Sequence, residues 1–292
     1  GQFITSPEIS SLFSIAITNQ FLKEFPKVKN VNLLELGPGN GLLSMDIYDY
    51  LKSKNVIVND LTLLEKSEYF REKISEKSEV KVNFIKNIYD YKINNGDVVF
   101  IYSNEFFDAI GSKQFIYDNG NFNEIKISKN NDEYLLIKDS TIISRELLNI
   151  YSSYNFKDND ILEHSNLILN ILSDIQKLEF KKYFFTTTDY GYTKLPLKST
   201  LRLLSNHKKL NLFDKFENVD YSFGVNFELM NSFFLKNNPS IIYQKDLILN
   251  NLPSEYLKSS DKNIKEMIDL ISGKKFGGMG TSFLNLSFKK NE

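Results

Sequence analysis

The feature that most restricts the fold of this chain is a cluster of three glycines that directly follows a short apolar run. Residues 31–36 predict a buried strand, the next residues include Gly37, Gly39 and Gly41, and residues 42–51 have the spacing of an amphipathic helix. Glycine lets the backbone turn tightly and approach a ligand because it has no Cβ. The start of a helix presents free N–H groups. This order of elements predicts a site for a nucleotide-type ligand.

The spacing of the glycines indicates which ligand the loop binds. A dinucleotide site normally has the pattern G-x-G-x-x-G, whereas this loop has G-x-G-x-G, with an acid two residues before the first glycine. An acid there attracts the ammonium group of a methionine moiety and repels a pyrophosphate. The loop therefore predicts S-adenosylmethionine as cofactor, bound by Glu35, Gly37, Pro38, Gly39 and Gly41. The alternative is a tight strand-to-helix turn that binds no ligand.

Strand-like and helix-like stretches alternate through the first half of the chain. This rhythm predicts an α/β fold with a Rossmann-like, mostly parallel central sheet. Residues 283–288 alternate and predict a late antiparallel strand, and Asn119-Gly120 predicts a hairpin between residues 114–117 and 122–127. Further predicted strands are residues 61–64, 80–85, 97–102 and 183–188. Predicted helices are residues 8–24 (with Ser6 as N-cap and Pro7 first in the helix), 67–77, 161–180, 227–235, 244–249 and 261–272, and residues 193–226 predict loops.

The length of 292 residues fits one large domain with insertions. We expect a single domain over residues 1–292, with its core in residues 28–110 and 181–292 and an insertion at residues 111–180. The start of the sequence lacks the pattern of a secretory signal.

The composition excludes several classes of site. The chain has no cysteine and only two histidines, His164 and His207, so disulfides, cysteine-based zinc sites and a His-rich metal site are excluded, and we expect no metal. A net charge of −1 provides no overall field that would attract nucleic acid. No apolar run reaches the roughly 20 residues that span a bilayer.

The second predicted strand ends at Glu65. A carboxylate at this strand end, after the glycine loop, is placed to accept hydrogen bonds from both ribose hydroxyls of a nucleoside. The alternative is that Glu65 starts the following helix, where an acid suits the helix dipole. Both roles are compatible.

The fourth predicted strand leads into Asn104-Glu105-Phe106-Phe107-Asp108. Open α/β sheets bind ligands at the carboxyl ends of their central strands, and two carboxylates there are costly to bury unpaired. A carboxylate pair holds a guanidinium in a bidentate grip, and the aromatic rings of Phe106 and Phe107 suit cationic centres. We assign catalysis to Glu105, Asp108 and Asn104. The alternative is helix capping by Asn104 with core packing by both rings.

The fifth predicted strand ends in Asp189-Tyr190-Gly191-Tyr192, a second polar group at the same edge of the sheet. We expect Asp189 and Tyr190 to contact the substrate, together with Phe106 and Phe107. An ordinary turn is the alternative.

Together these motifs resemble the MidA/NDUFAF7 family, the S-adenosylmethionine-dependent protein arginine methyltransferases of complex I assembly. Several separate blocks in the family's order are far more specific than one glycine loop. The blocks are Gln2-Phe3-Ile4-Thr5-Ser6-Pro7-Glu8-Ile9-Ser10 with Leu12-Phe13, Leu34-Glu35-Leu36-Gly37-Pro38-Gly39 with Gly41, Asn104-Glu105-Phe106-Phe107-Asp108-Ala109 with Gln114-Phe115, Asp189-Tyr190-Gly191, Thr200-Leu201-Arg202 with His207, Val219-Asp220 with Val225-Asn226-Phe227, and Met279-Gly280.

The resemblance implies a class I methyltransferase fold and cofactor contacts from Thr5, Ser6, Pro7 and Glu8, and Asn104 is expected to contact the cofactor as well. It also implies transfer of a methyl group to an arginine of a complex I subunit. The chain departs from the family's usual residues at three positions. They are Asn40, where a basic residue is usual, Gln2, where Asp is usual, and Tyr192, where His is usual. Family members also carry a Gly-Tyr-Tyr element ahead of the first block, and this sequence begins at Gly1.

Other functions compete with this one. A non-catalytic assembly scaffold would keep the fold without binding the cofactor, and a methyltransferase for a small molecule would not need the insertions at residues 113–160 and 193–226. An NAD-dependent oxidoreductase is disfavoured by the glycine spacing. We expect a protein partner and no nucleic acid, with a homodimer as one option. The resemblance is compatible with the bacterial cytoplasm or the mitochondrial matrix.

Overall fold

The strands of the protein were located in a computed structural model that describes residues 5–92, 98–131, 133–205, 208–214, 219–273 and 279–291. Gln2, Phe3, Ile4 and His207, which belong to the family-like blocks, lie outside these residues. The strands are β1 (Asn30–Leu36), β2 (Ile57–Leu64), β3 (Asn83–Ile85), β4 (Val98–Asn104), β5 (Lys113–Asp118), β6 (Asn121–Asn130), β7 (Glu133–Ser140), β8 (Ile161–His164), β9 (Lys182–Tyr192), β10 (Arg202–Ser205), β11 (Lys208–Lys209), β12 (Asp220–Ser222), β13 (Val225–Asn226), β14 (Ser240–Tyr243) and β15 (Phe283–Asn291).

The α-helices surround and connect these strands. They are α1 (Ser6–Ile9), α2 (Leu12–Glu24), α3 (Leu42–Ser53), α4 (Glu68–Lys77), α5 (Ser144–Ile150), α6 (Asn166–Gln176), α7 (Phe227–Phe233), α8 (Gln244–Asn251), α9 (Ser254–Leu257), α10 (Lys262–Ser272) and α11 (Met279–Ser282). Two 3-10 turns lie at Ile88–Asp90 and Leu235–Asn237. Among the helices of the described ranges, none is both long and apolar enough to cross a membrane.

The central sheet has the strand order β14-β15-β9-β4-β1-β2-β3, and the short β13 pairs with the end of β9. Strands β9, β4, β1, β2 and β3 are parallel, whereas β15 runs antiparallel between β9 and β14. The predicted Rossmann-like α/β fold is therefore confirmed, together with the late antiparallel strand. Parallel pairing also brings the carboxyl ends of β1, β2, β4 and β9 to one edge of the sheet.

Helices cover both faces of the sheet, which explains why its central strands β1 and β4 are buried along most of their length. Successive side chains of a strand point to opposite faces. Leu33 packs on one side with Phe21 of α2, whereas Leu34 packs on the other with Phe227 of α7. Six of the seven residues of β1 are buried. The strand that carries the glycine loop is thus held rigidly in the middle of the molecule.

The predicted helix over residues 8–24 is divided. Ser10 is extended, with φ −163°, so that α1 and α2 are separate helices. The Ser10 hydroxyl accepts a hydrogen bond from the backbone N–H of Leu12, 3.2 Å away. A serine side chain that bonds to the nearby backbone competes with helix formation. The N-cap is Thr5, in a capping box with Glu8, and the predicted N-cap, Ser6, is the first helical residue.

Two further predictions are wrong because tertiary pairing overrides the local pattern. Residues 161–180 were expected to be helical throughout, but Ile161–His164 form β8 at the edge of the sheet β7-β6-β5-β8, and the helix is confined to Asn166–Gln176. Residues 193–226, expected to be loops, contain the small sheet β11-β10-β12 and strand β13. The predicted hairpin is confirmed. It is β5-β6, in which Asn119 and Gly120 have φ +48° and +83°.

We predict that Asn285 of β15 holds the antiparallel strand against β9. Its side chain is fully buried, and Nδ2 lies 2.8 Å from Thr186 Oγ1 and 3.0 Å from Thr188 Oγ1. Asn285→Leu removes the partner of Thr188 Oγ1 and one of the partners of Thr186 Oγ1, which still bonds to Gln20. It should lower the free energy of unfolding by about 2–4 kcal/mol. The measurement is urea unfolding. Ser287→Ala, which removes one acceptor of Gln20 at 3.1 Å, should cost only about 1 kcal/mol. Equal losses would contradict the assignment.

Candidate active site

The carboxyl edge of the sheet contains a cavity of about 260 Å³. Its walls come from α1, the glycine loop after β1, the turn after β4, and strand β12. Ten of the residues predicted for the site line it, namely Thr5, Pro7, Glu8, Glu35, Gly37, Pro38, Gly39, Asn104, Glu105 and Asp108. The lining also includes residues to which sequence reasoning gave no role, namely Asn40, Leu43, Phe70, Ala109, Asp220, Tyr221 and Ser222.

The three loop glycines differ in what a side chain at each position would contact. Gly37 has φ +66°, and a Cβ there would lie 2.4 Å from Cδ2 of Phe106. Gly39 has φ +54° and no neighbour within 4 Å, so its missing side chain leaves open space in the cavity wall. Gly41 caps α3 with φ +80°, and a Cβ there would lie 3.1 Å from Ile74. Gly39 is therefore the position where the backbone is most open to a ligand, while Gly41 serves helix packing.

Glu35 is a buried carboxyl group at the floor of the cavity. It accepts a hydrogen bond from the hydroxyl of Ser44, whose Oγ is 2.6 Å from the Tyr102 hydroxyl. Burial raises the pKa of Glu35 to about 8. A cation bound beside Glu35 would favour its ionised form, because opposite charges nearby lower a carboxyl pKa. Sequence reasoning found Glu35 but not Ser44 or Tyr102, since both lie within ordinary amphipathic or apolar runs.

Helix α1 is tied to the glycine loop across the cavity. Glu8 completes the capping box and also accepts a hydrogen bond from Asn40 Nδ2 through Oε1, at 3.1 Å. Asn40 Oδ1 accepts the N–H of Leu42 at 3.1 Å. Ser6 is buried, and its hydroxyl lies 3.1 Å from Nε2 of Gln244 on α8. Thr5, Pro7 and Glu8 therefore form one wall, and Ser6 anchors that wall from behind.

The turn after β4 places two polar side chains in the cavity. Glu105 has φ +50°, and its N–H donates to the carbonyl oxygen of Thr188 on β9 at 2.9 Å. Its carboxyl group accepts hydrogen bonds from Asn104 Nδ2 at 3.1 Å and from the N–H of Ser6 at 3.4 Å. Burial, and then the charge of Asp108, raise the pKa of Glu105 to about 8. Asn104 Oδ1 is buried without a hydrogen-bond partner among the described residues, so it is an acceptor available to a ligand.

Asp108 lies at the other end of this turn. Burial raises its pKa to about 6, and the positive charge of Arg202 acts in the opposite direction. The carbonyl oxygen of Asp108 accepts the N–H of Phe223 at 3.0 Å. This bond docks the segment around β12 on the turn and brings Asp220 and Tyr221 to the cavity. The sequence showed Asp220 only as part of a family-like block, because a single acid in a loop-rich stretch carries no local pattern.

The residues predicted to contact substrate are placed differently from one another. Phe107 and Asp189 are fully buried beneath the cavity, and Phe106 packs against Gly37. Tyr190 is partly exposed, and the guanidinium carbon of Arg202 lies 3.6 Å from its ring centroid. None of these four is among the described residues that line the cavity.

Glu65 follows β2 at the same edge, outside the cavity lining. Its Oε1 accepts the N–H of Ser67, the N-cap of α4, at 2.7 Å. This contact agrees with the helix-start role. The ribose role remains a prediction.

The site and fold agree with a comparison of the sequence against protein families. Residues 16–240 match the family model Methyltransf_28, which describes S-adenosyl-L-methionine-dependent methyltransferases. The match covers more than half of the chain, and the chain belongs to this family. Its cofactor is S-adenosylmethionine. Among curated proteins, no sequence matches the chain.

Two crystal structures of Burkholderia thailandensis proteins have the same fold. One, bound to S-adenosylhomocysteine, gives a TM-score of 0.78 at 16% identity and covers 98% of this chain and 78% of that protein. The other, a native structure, gives 0.81 at 14% identity, with 98% and 80% covered. At such identities the likeness shows the fold alone.

The residues of the cavity fit the chemistry of this cofactor. S-adenosylmethionine carries an ammonium and a sulfonium, and the buried carboxyl of Glu35 and the unpaired Oδ1 of Asn104 suit cationic or hydrogen-bond-donating groups. The bare backbone at Gly39 allows close approach. We therefore expect Glu35, Gly39 and Asn104 to hold the cofactor.

We predict different effects for alanine at the first two glycines. Gly37→Ala meets Phe106 in addition to backbone strain, so it should lower the melting temperature clearly. Gly39→Ala adds strain of only about 1–2 kcal/mol, but its methyl group projects into open cavity space and should weaken S-adenosylmethionine binding. Thermal unfolding and calorimetric titration measure the two effects. A Gly39→Ala variant that binds the cofactor like the unmodified protein would exclude this approach path.

A second prediction concerns the pH dependence of stability. The pKa of Glu35 is about 8 when folded, against an ordinary value of 4.5. The stability from protonated Glu35 is therefore complete below pH 4.5 and is lost as the pH rises towards 8. Glu35→Gln mimics the protonated group, so between pH 5 and 8 its unfolding free energy should fall less steeply, by up to about 1.4 kcal/mol per pH unit. Chemical unfolding at several pH values tests this, and parallel curves would contradict it.

Proposed function

We propose that the chain is a protein arginine N-methyltransferase that modifies an arginine of a complex I subunit during assembly. One observation carries the choice of a cationic acceptor. Five acidic residues line the cavity, namely Glu8, Glu35, Glu105, Asp108 and Asp220, and no Lys, Arg or His is found among its described lining residues. Such a cavity attracts a cation and disfavours an anionic substrate.

A guanidinium group matches this arrangement better than a compact cation. It is planar and carries five N–H donors, which pair with carboxylates in a bidentate fork. Arg202 of the chain itself shows that this region accommodates a guanidinium group. Its guanidinium stacks on Tyr190, and its positive charge lowers the pKa of Asp108. The stacking on Tyr190 and the nearby negative charge of Asp108 support a guanidinium site beside the turn after β4.

The residues of the turn have distinct protonation states. With a pKa of about 6, Asp108 is mostly ionised at neutral pH, whereas Glu105, with a pKa of about 8, is mostly protonated. S-adenosylmethionine, when bound, supplies an electrophilic methyl group. A guanidinium is a poor nucleophile because it is protonated, so a carboxylate must localise its charge and accept the departing N–H proton. Asp108 is the base in this proposal, and Glu105, ionised once the cation arrives, orients the guanidinium.

The complex I subunit as substrate is supported by the sequence blocks that resemble the MidA/NDUFAF7 family over the whole chain. The three-stranded sheet beside the cavity and the sheet β7-β6-β5-β8 provide additional surface that a protein substrate would use. A non-catalytic scaffold is the second candidate function, favoured by Tyr192 where the family usually has His.

We expect that Glu105→Gln and Asp108→Asn each reduce methylation by about 100-fold or more, while calorimetry still shows S-adenosylmethionine binding. The assay incubates the protein with the cognate complex I subunit and reads arginine methylation by peptide mass spectrometry. Asp139→Asn is the matched control, because Asp139 pairs with Lys126 on an exposed hairpin. It should keep full activity.

The outcomes separate the candidates. Cofactor binding without methylation of the subunit would exclude this substrate. Absence of cofactor binding would favour the scaffold. Full activity in both carboxyl variants would exclude their catalytic roles.

A further inference from the structure

Asp189 is a carboxyl group in the interior for which the proposed reaction has no use. It lies near the end of β9 and is fully buried. Its Oδ2 accepts the N–H of Phe107 and its Oδ1 accepts the N–H of Asp108, both at 3.2 Å. The Thr187 hydroxyl is 3.4 Å from Oδ2. These hydrogen bonds hold the backbone of the turn that carries Glu105 and Asp108.

The same carboxyl group is a close neighbour of Asp108, because its Oδ1 lies 3.2 Å from the backbone nitrogen of Asp108. Hydrogen bonding to Asp189 lowers the pKa of Asp108, and such a bond between two carboxyl groups requires a proton on one of them. Two buried carboxylates in contact cannot both be ionised at neutral pH. Asp108 lines the cavity, whereas Asp189 is deeper and fully enclosed. At the deeper site burial outweighs the two backbone N–H bonds, which favour the charged form, and it raises the pKa of Asp189 well above its ordinary value.

We propose that Asp189 is a positioning residue that keeps its proton and donates it in a hydrogen bond to the Asp108 carboxylate, so that the negative charge of the pair faces the cavity. The catalytic meaning of this pair rests on the proposed function, because only there is Asp108 a base. Asp189 itself does not touch the reacting atoms.

Because the proton of the pair stays on Asp189, the Asp108 carboxylate can take up one proton. In the transfer step the acceptor nitrogen forms a bond to the methyl carbon as the carbon–sulfur bond breaks, and the electron pair of that bond stays on sulfur. The acceptor N–H proton passes to Asp108, while Asp189 keeps its own. The other groups that act on Asp108 are Arg202, which favours its charged form, and Asp220, which opposes it. Glu105 also lies beside the pair and interacts with both carboxyl groups.

Carboxyl-detected NMR of the full chain, labelled with ¹³C at the aspartate side-chain carboxyls, tests the protonation directly. Asp108→Asn and Asp189→Asn each remove one signal and so assign the two resonances. We expect Asp108 to titrate near pH 6 and Asp189 to remain protonated to a higher pH. Titration of Asp189 before Asp108, or titration of Asp108 at its ordinary value of 3.8, would overturn the proposal.

A comparison of two substitutions separates hydrogen-bond donation from simple support of the backbone. Asp189→Asn keeps an N–H donor and should leave the Asp108 titration near pH 6. Asp189→Ala removes the donor and should move it upward by roughly one to two pH units. Equal titration of Asp108 in both variants would overturn the proposal. If Asp189→Ala does not fold, the unmodified protein and Asp108→Asn still decide the order of protonation.

These measurements use neither cofactor nor substrate. Failure to methylate a complex I subunit would therefore refute the proposed function without refuting the protonation order. Titration in the wrong order would refute the pair even in an active methyltransferase.

Discussion

The structure depends on the parallel pairing of β4 with β1 on one side and with β9 on the other. This pairing brings the glycine loop, the Asn104–Asp108 turn and Asp189 to one edge of the sheet. The hydrogen bond from the N–H of Glu105 to the carbonyl oxygen of Thr188 extends the β4–β9 ladder into the turn. The hydrogen bonds from the N–H groups of Phe107 and Asp108 to the Asp189 carboxyl group then fix the next residues of the turn. A buried parallel sheet is rigid because both faces are covered. Residues at the ends of its strands are therefore held in fixed positions.

This arrangement places several carboxyl groups where burial opposes their charge. Burial raises the pKa values of Glu35, Glu105 and Asp108, so the protein without ligand keeps part of the site protonated. A cationic cofactor or substrate supplies the missing counter-charge and favours ionisation. The electrostatic state of the site is therefore coupled to its occupancy, which suits a reaction whose cofactor is a sulfonium.

Local patterns predicted the parts of the fold that local physics controls. The glycine loop, the alternation of strands and helices, and the Asn119-Gly120 hairpin each follow from backbone freedom or side-chain periodicity. The break at Ser10 and strand β8 were not predicted. The first depends on one side-chain hydrogen bond, and the second on an edge offered by β5. The bond at Ser10 is local, but the same residues also have helical spacing, so the pattern alone does not show which one forms. The partner strand of β8 lies outside any window of neighbouring residues.

The sequence by itself determined the sheet, the glycine loop and the acidic turn after β4, because strand periodicity, glycine conformation and charge are properties of consecutive residues. Only the tertiary structure decided which acids face the cavity. Asp220, from a stretch read as loops, lines it, whereas Asp189, predicted to meet substrate, is buried behind Asp108. Which acid is solvated, paired or enclosed depends on the depth at which each strand ends and on the segments packed over it. The residues that meet here are about 80 to 110 positions apart in the chain, so no pattern of neighbouring residues encodes their arrangement.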